Sequence, residues 1–134
     1  MLVLLKNRTL YMKKADINFS EPLNCPVRNI LDRIGDKWSL LILLVLEQED
    51  VLRFNEIHQS IGDISQKMLS VSLKNLEADG LVNRKVYPQI PPKVEYKLTD
   101  LGKSLIPFVN ALSDWSKQHM DTILRNRTAY KKKL

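Results

Sequence analysis

Apolar residues recur along this chain first with a helical and then with an alternating period, and the two regimes meet at Gly80-Leu81. Pro26 opens the first helical segment. Proline suits a first helical position, where its missing N–H had no partner, and this places Cys25 at the N-cap. Ile30, Leu31 and Ile34 follow at helical spacing, and Gly35-Asp36 ends the segment. A second helix is expected from Lys37 to Glu47, anchored at its start by Trp38. Its run Leu40 to Leu46 is apolar on nearly every side, which predicts a central buried helix. Leu52-Arg53-Phe54 is too short for an independent strand but can lend an edge to a small sheet. Asn55 to Ile61 reads as a short helix with Phe54, Ile57 and Ile61 inward, and Gly62-Asp63-Ile64 as a tight turn into Ser65.

Ser65 to Gly80 is a helix with both ends marked. A serine hydroxyl at the N-cap accepts from a free backbone N–H, and glycine suits the left-handed position past the C-terminus. Leu69, Ser72, Leu73 and Leu76 share one face, and Lys67, Ser70, Val71, Lys74 and Ala78 the other. That second face is small or cationic, as a helix entering a groove ~12 Å wide requires. An ordinary amphipathic helix with a light outer face fits the same residues. The preceding short helix and glycine-containing turn favour a helix-turn-helix.

After Gly80 the period becomes two. Leu81 to Tyr87 and Lys93 to Leu98 are β-rich runs separated by Pro88-Gln89-Ile90-Pro91-Pro92, a hairpin with a stiff tip. A helix-turn-helix followed by a hairpin is a winged helix-turn-helix, whose wing lies along the DNA backbone or in the minor groove. Thr99 then caps a long helical region in which Leu101, Leu105, Phe108, Leu112, Trp115, His119 and Ile123 recur at three-to-four spacing. Pro107 is expected to kink that region or split it in two. Its surplus apolar stripe suits dimerisation, with Leu105, Phe108, Leu112, Trp115 and Ile123 as interface residues; folding back as a lid is the alternative. The expected fold is therefore mainly α with a small β-hairpin, flanked by terminal dimerisation helices. Residues 1–21 form an N-terminal arm, with Met12 a plausible start and Leu2 to Met12 a short amphipathic helix. Residues 22–98 form the DNA-binding domain, 99–125 the dimerisation region and 126–134 a basic tail.

Charge changes this picture less than it first suggests. The net +6 over 134 residues resolves into +5 from Arg125, Arg127, Lys131, Lys132 and Lys133, +2 from residues 1–21, and −1 from the body between. A DNA-binding surface on the body must therefore arise from local segregation, and Glu47, Glu49 and Asp50 do lie far in sequence from Arg84, Lys85, Lys93 and Lys97. One cysteine excludes an internal disulfide, and two histidines at no metal-ligand spacing argue against structural zinc or another cofactor. No phosphate loop or hydrolase motif points to an enzyme. The longest apolar run is far shorter than the ~20 residues that span a membrane, and the chain reads as cytoplasmic.

Taken together, Cys25-Pro26-Val27, Ile34-Gly35-Asp36-Lys37-Trp38, Arg53-Phe54-Asn55-Glu56-Ile57, Ile64 to Leu69, Leu76 to Val82, Pro91 to Thr99 and Gly102 resemble the HxlR-type winged-helix regulators of bacteria. The resemblance covers about residues 22 to 120 and implies a homodimeric transcription factor whose helix from Ser65 enters the major groove of a palindromic operator. It also implies that a cysteine at the position of Cys25 senses electrophiles, quinones or oxidants. Schemes needing two different cysteines are closed to this chain. The family includes activators and repressors.

For DNA, Gln66 and Ser70 near the helix start suit base edges, and Lys67 and Lys74 suit phosphates or guanine, with Ser65 beside them. Arg53, Arg84 and Lys93 suit backbone and wing contacts. At Cys25 a thiolate would face free N–H groups and the positive helix end, with Arg28 a turn on; a buried inert cysteine is the alternative. A protein-interaction module, a one-cysteine peroxidase, or a regulator binding a small effector near Trp38 and Trp115 are the competing functions.

Overall fold

The computed structural model describes residues 18–21 and 23–134, so the helix expected over Leu2 to Met12 lies outside the described residues. The chain divides into two compact units, Met1–Lys37 and Trp38–Leu134. In the first, α1 (Pro26–Ile34) starts where the proline predicts, with Cys25 in extended conformation at its N-cap. Ile34 is buried, whereas Val27, Ile30 and Leu31 are exposed.

The second unit holds α2 (Lys37–Gln48) from Trp38 onward, β1 (Leu52–Arg53), α3 (Phe54–Ile61), α4 (Gln66–Ala78), β2 (Val82–Tyr87), β3 (Lys93–Leu98) and α5 (Asp100–Lys133). The expectation that α2 is buried on nearly every side is corrected. It fully buries Ser39, Ile42, Leu43 and Leu46, half-buries Leu40, Leu44 and Val45, and leaves Leu41 exposed. A chain this short has too few elements to enclose a helix all round.

In α3, Ile57 is buried while Phe54 and Ile61 are half-buried. The Glu56 carboxylate accepts from the Arg53 backbone N–H at 2.9 Å, closing half of a capping box; arginine carries no acceptor for the other half. His58 Nε2 donates to the Ile64 carbonyl at 2.8 Å and so ties α3 to the turn that follows it. At the start of α4 the Ser65 hydroxyl accepts from Met68 N–H at 3.0 Å. At its end Gly80 has φ +76°, and the N–H groups of Gly80 and Leu81 return to the carbonyls of Glu77 and Leu76 at 3.0 and 2.9 Å. These paired bonds are the Schellman motif that a left-handed glycine permits.

The sheet is antiparallel in the order β1-β3-β2, with Val82 opposite Leu98, Tyr87 opposite Lys93 and Leu52 opposite Tyr96. Leu52, Val82, Tyr96 and Leu98 are buried, and the tip from Pro88 to Pro92 is exposed.

The expected split at Pro107 does not occur, because α5 runs unbroken through it for 34 residues, about 51 Å at the helical rise. Pro107 leaves the carbonyl four residues back, that of Lys103, without its helical donor. Both residues are exposed, so water can serve that oxygen, while Gly102, Ile106 and Val109 anchor the helix on a different side. The basic residues after 125 stay within the helix up to Lys133.

The start of α5 is fixed to the end of α4. Thr99 accepts from Gly102 N–H at 3.0 Å through its hydroxyl, donates that hydroxyl to the Gly80 carbonyl at 2.5 Å, and donates its own N–H to the Leu81 carbonyl at 3.1 Å. A Cβ on Gly102 would collide with the Leu81 carbonyl oxygen, whereas one on Gly80 would meet only a Leu101 methyl at 3.9 Å. Gly80→Ala should therefore cost only its backbone strain, ~1–2 kcal/mol. Gly102→Ala should cost ~3 kcal/mol or more, because backbone must give way. Urea denaturation of the two variants checks the order; equal costs would mean that the close approach relaxes freely.

Candidate nucleic-acid interface

Helix α4 is held by Leu69, Ser72, Leu73 and Leu76, all buried, and turns Gln66, Lys67, Val71 and Lys74 outward, with Ser70 half-buried and Ser65 exposed at the cap. Lys67, Val71, Lys74 and Ala78 form one ridge along the helix. On its hairpin side, Ser70, Lys74 and Glu77 line a cleft of about 300 Å³ with Arg84, Phe54 and Tyr96. Two expected DNA contacts, Lys74 and Arg84, thus converge from different elements on one space, and Glu77 is a carboxylate among them that sequence reasoning did not single out. Its spacing from Lys74 was the available signal.

The other face of the hairpin is also basic. Register places Arg53 and Lys85 on either side of Glu95, and Tyr87 beside Lys93. Lys93 Nζ lies 3.5 Å from the Glu95 carboxylate and 4.8 Å from the Tyr87 ring centre, and Lys85 Nζ lies 4.9 Å from the same ring. Lys93, expected as a wing contact to the DNA backbone, is half-buried and already holds Glu95 and Tyr87. Arg53 and Arg84 are exposed. Lys85 was legible from strand alternation, which puts residues 83, 85 and 87 on one side. A hydrogen bond from Tyr87 is the largest influence on the Glu95 carboxyl; desolvation opposes it, and the charge and hydrogen bond of Lys93 and the charge of Arg53 add to it, so the carboxyl is held below its ordinary value.

Separation in sequence is not separation in space for Lys97. It lines a cleft of about 700 Å³ together with Glu47, Glu49, Asp50, Asp100 and Lys103. The anticipated segregation of acids from bases therefore fails at this residue, because β3 runs back toward the end of α2.

Along α5, Phe108, Leu112 and Trp115 are exposed, Leu105 and Ile123 half-buried, and Trp115 stacks at a tilt on His119 with centroids 4.8 Å apart. This stripe lies about a third of a turn around the helix from the side carrying Gly102, Ile106 and Val109. At α1, Cys25 is fully buried and its side chain makes no capping hydrogen bond; Arg28 Nη1 donates to the Phe19 carbonyl at 2.9 Å.

A cap-marked helix behind a glycine turn, with a two-stranded hairpin after it that pairs with β1, has counterparts among known proteins. The family model described as HxlR-like helix-turn-helix matches residues 33–124. The chain belongs to the HxlR-like family. Like its relatives in that family it is a helix-turn-helix transcriptional regulator and not an enzyme. It is 39% identical over 127 residues to YdeP of Bacillus subtilis, an uncharacterized HTH-type transcriptional regulator, covering 95% of this chain and 96% of the relative. Among solved structures it resembles the redox regulator HypR in its reduced form, at 41% identity and TM-score 0.70, covering 75% of this chain and 98% of HypR. It also resembles the diamide-treated YodB of B. subtilis, at 39% identity and TM-score 0.59, covering 70% and 93%. Among the described residues no helix is long and apolar enough to cross a membrane.

The Glu95 environment makes a direct prediction for this HxlR-like wing. A carboxyl lowered in the folded state stabilises the fold above its unfolded value, and that contribution is lost as pH falls through the folded value. Carboxyl-carbon NMR should show Glu95 titrating below an ordinary glutamate, and Tyr87→Phe should move its midpoint upward. An unmoved midpoint would assign the shift to the neighbouring cations instead.

Proposed function

We propose that this regulator binds DNA sequence-specifically as a homodimer on a palindromic operator, with α4 in the major groove and the wing along the backbone. The observation that carries the reading is the outward face of α4, where Gln66, Lys67, Ser70, Val71 and Lys74 stand clear of bulk above a fully buried apolar face. Gln66 and Ser70 supply donors and acceptors for base edges, Ser65 caps and positions them, and Lys67, Lys74, Arg53 and Arg84 neutralise phosphates. The exposed stripe of Phe108, Leu112 and Trp115 supports pairing through α5, with Leu105 and Ile123 at its margins. In purified protein titrated with the promoter region of its own gene, Lys67→Ala and Lys74→Ala should each lower the slope of log affinity against log salt by ~0.9. Binding that is insensitive to salt and prefers no fragment over random duplex would instead support a protein-interaction module.

The same reading includes a thiol switch at Cys25, supported by likeness to HypR, described as a redox regulator, and to YodB, solved after diamide treatment. With one cysteine per chain, oxidation joins Cys25 to the partner's Cys25 or to a small thiol, and a quinone alkylates it. Burial of Cys25 means that reagent reaches the thiol only when α1 opens locally. Cys25→Ser should keep DNA affinity within about twofold, as an interior change of small volume remote from α4 in sequence, and abolish the response to diamide. If the variant still responds, the thiol is not the sensor, and the 700 Å³ cleft between the end of α2, the wing base and the start of α5 becomes the place to seek a small effector.

A further inference from the structure

Charge and hydrogen bonding do not account for Val71. It is 44% exposed in the middle of α4, on the ridge shared with Lys67 and Lys74. A β-branched residue in an exposed helix position lowers helix propensity and gains little from burial there, so local folding gives no reason for it. Its single favoured χ1 rotamer does hold two methyl groups at a fixed point, with little conformational entropy left to lose on contact. Lys67 lies one turn before it and Lys74 one turn after. When those two ammonium groups reach phosphates, the short apolar side chain between them is held over the groove floor. In the major groove one base alone offers an apolar partner, the C5-methyl group of thymine.

Met68, 40% exposed, is the other large apolar residue exposed on α4. It is less suited to this role. Its sulfur accepts from the Ser72 hydroxyl at 3.7 Å, and it lies about 60° farther around the helix from the lysine ridge than Val71 does.

We infer that Val71 is a specificity-determining residue that packs its methyl groups against the C5-methyl of one thymine in each operator half-site. The inference rests on the proposal that α4 enters the major groove, and it adds a base identity to it. Gln66 and Ser70 can each pair with more than one base, whereas a methyl contact selects thymine and leaves no hydrogen bond to exchange.

The test uses the full chain and its promoter fragment at fixed salt. Each thymine of the protected half-site is replaced singly by deoxyuridine, which removes the methyl and keeps every hydrogen-bonding group. Wild-type protein should lose about fourfold in affinity at one thymine per half-site, the value of one buried methyl-sized group. Val71→Ala should bind the thymine and uracil forms of that position equally, while responding as wild type does at every other position. Because alanine is the better helix former, this variant should melt no lower than wild type, which separates a readout role from a structural one. Wild type indifferent to uracil throughout, or Val71→Ala retaining the discrimination, overturns the assignment while leaving groove binding intact. Failure of wild type to prefer its promoter over random duplex overturns the groove reading and this inference with it.

Discussion

The position of α4 depends on the carbonyl of one residue, Leu81. The chain leaves α4 at Gly80 in a left-handed turn, and Leu81 sends its N–H back to Leu76 while its carbonyl accepts from Thr99 N–H. Gly102 presses against the same carbonyl, so closely that no side chain fits. Thr99 adds a hydroxyl bond to Gly80 and caps α5 with the same oxygen. Four element ends, those of α4, β2, β3 and α5, are thus joined within a few bonds of one another. Backbone groups satisfied this way are held by geometry as well as by burial, since breaking one leaves several donors or acceptors without partners. Neither α4 nor the hairpin can tilt against α5 without opening this junction.

Electrostatics act within that frame and mostly at short range. The body carries a net charge near zero, so under the proposed DNA binding any long-range attraction would come from the chain ends and specificity from what α4 and the wing present locally. Glu95 shows how finely the charges are balanced. It is the carboxylate among Arg53, Lys85 and Lys93 on that face, holding Lys93 and lying in register with Arg53 and Lys85. Phosphate must compete with that carboxylate for Lys93, which makes Arg84, turned toward α4 and exposed, the stronger candidate for a backbone clamp. Glu77 bears on Lys74 and Arg84 in the same sense across the neighbouring cleft.

Much of this was legible in the residues because the signals were local. Ser65, Gly80 and Thr99 mark helix ends through bonds to their own neighbours, and the change of period at Leu81 marks the wing. The buried face of α4 followed from spacing alone. What failed required knowledge of surroundings. Pro107 breaks a helix only where no water can reach the freed carbonyl or no packing holds the next turn, and here both conditions are relieved by where α5 is exposed and where it is anchored. The apolar run of α2 could not reveal that Leu41 would be left exposed and its neighbours only half-buried. The neighbours of Lys93 were not legible because they depend on register with Tyr87 and Glu95, and Lys97 looked remote from the acids because sequence distance says nothing about the return path of β3.

The two faces of α5 connect these local facts to the proposed dimer. The face carrying Gly102, Ile106 and Val109 is buried within its own subunit, and the stripe of Phe108, Leu112 and Trp115 points about a third of a turn away from it. A second copy can therefore cover the stripe without disturbing the junction at Leu81. Any rotation at that interface would then reach α4 as rigid-body motion, because the junction transmits it without slack. Half-sites on one side of a duplex recur every ~34 Å, and an error of a few ångströms in the spacing of two reading helices withdraws their side chains from base edges. Chemistry that alters subunit orientation, whether at Cys25 or in the cleft beside the wing base, thus needs to make only a small change to govern affinity. The stiffness of the junction converts a modest rearrangement into a decision about binding, and a looser connection between α4 and α5 would absorb it instead.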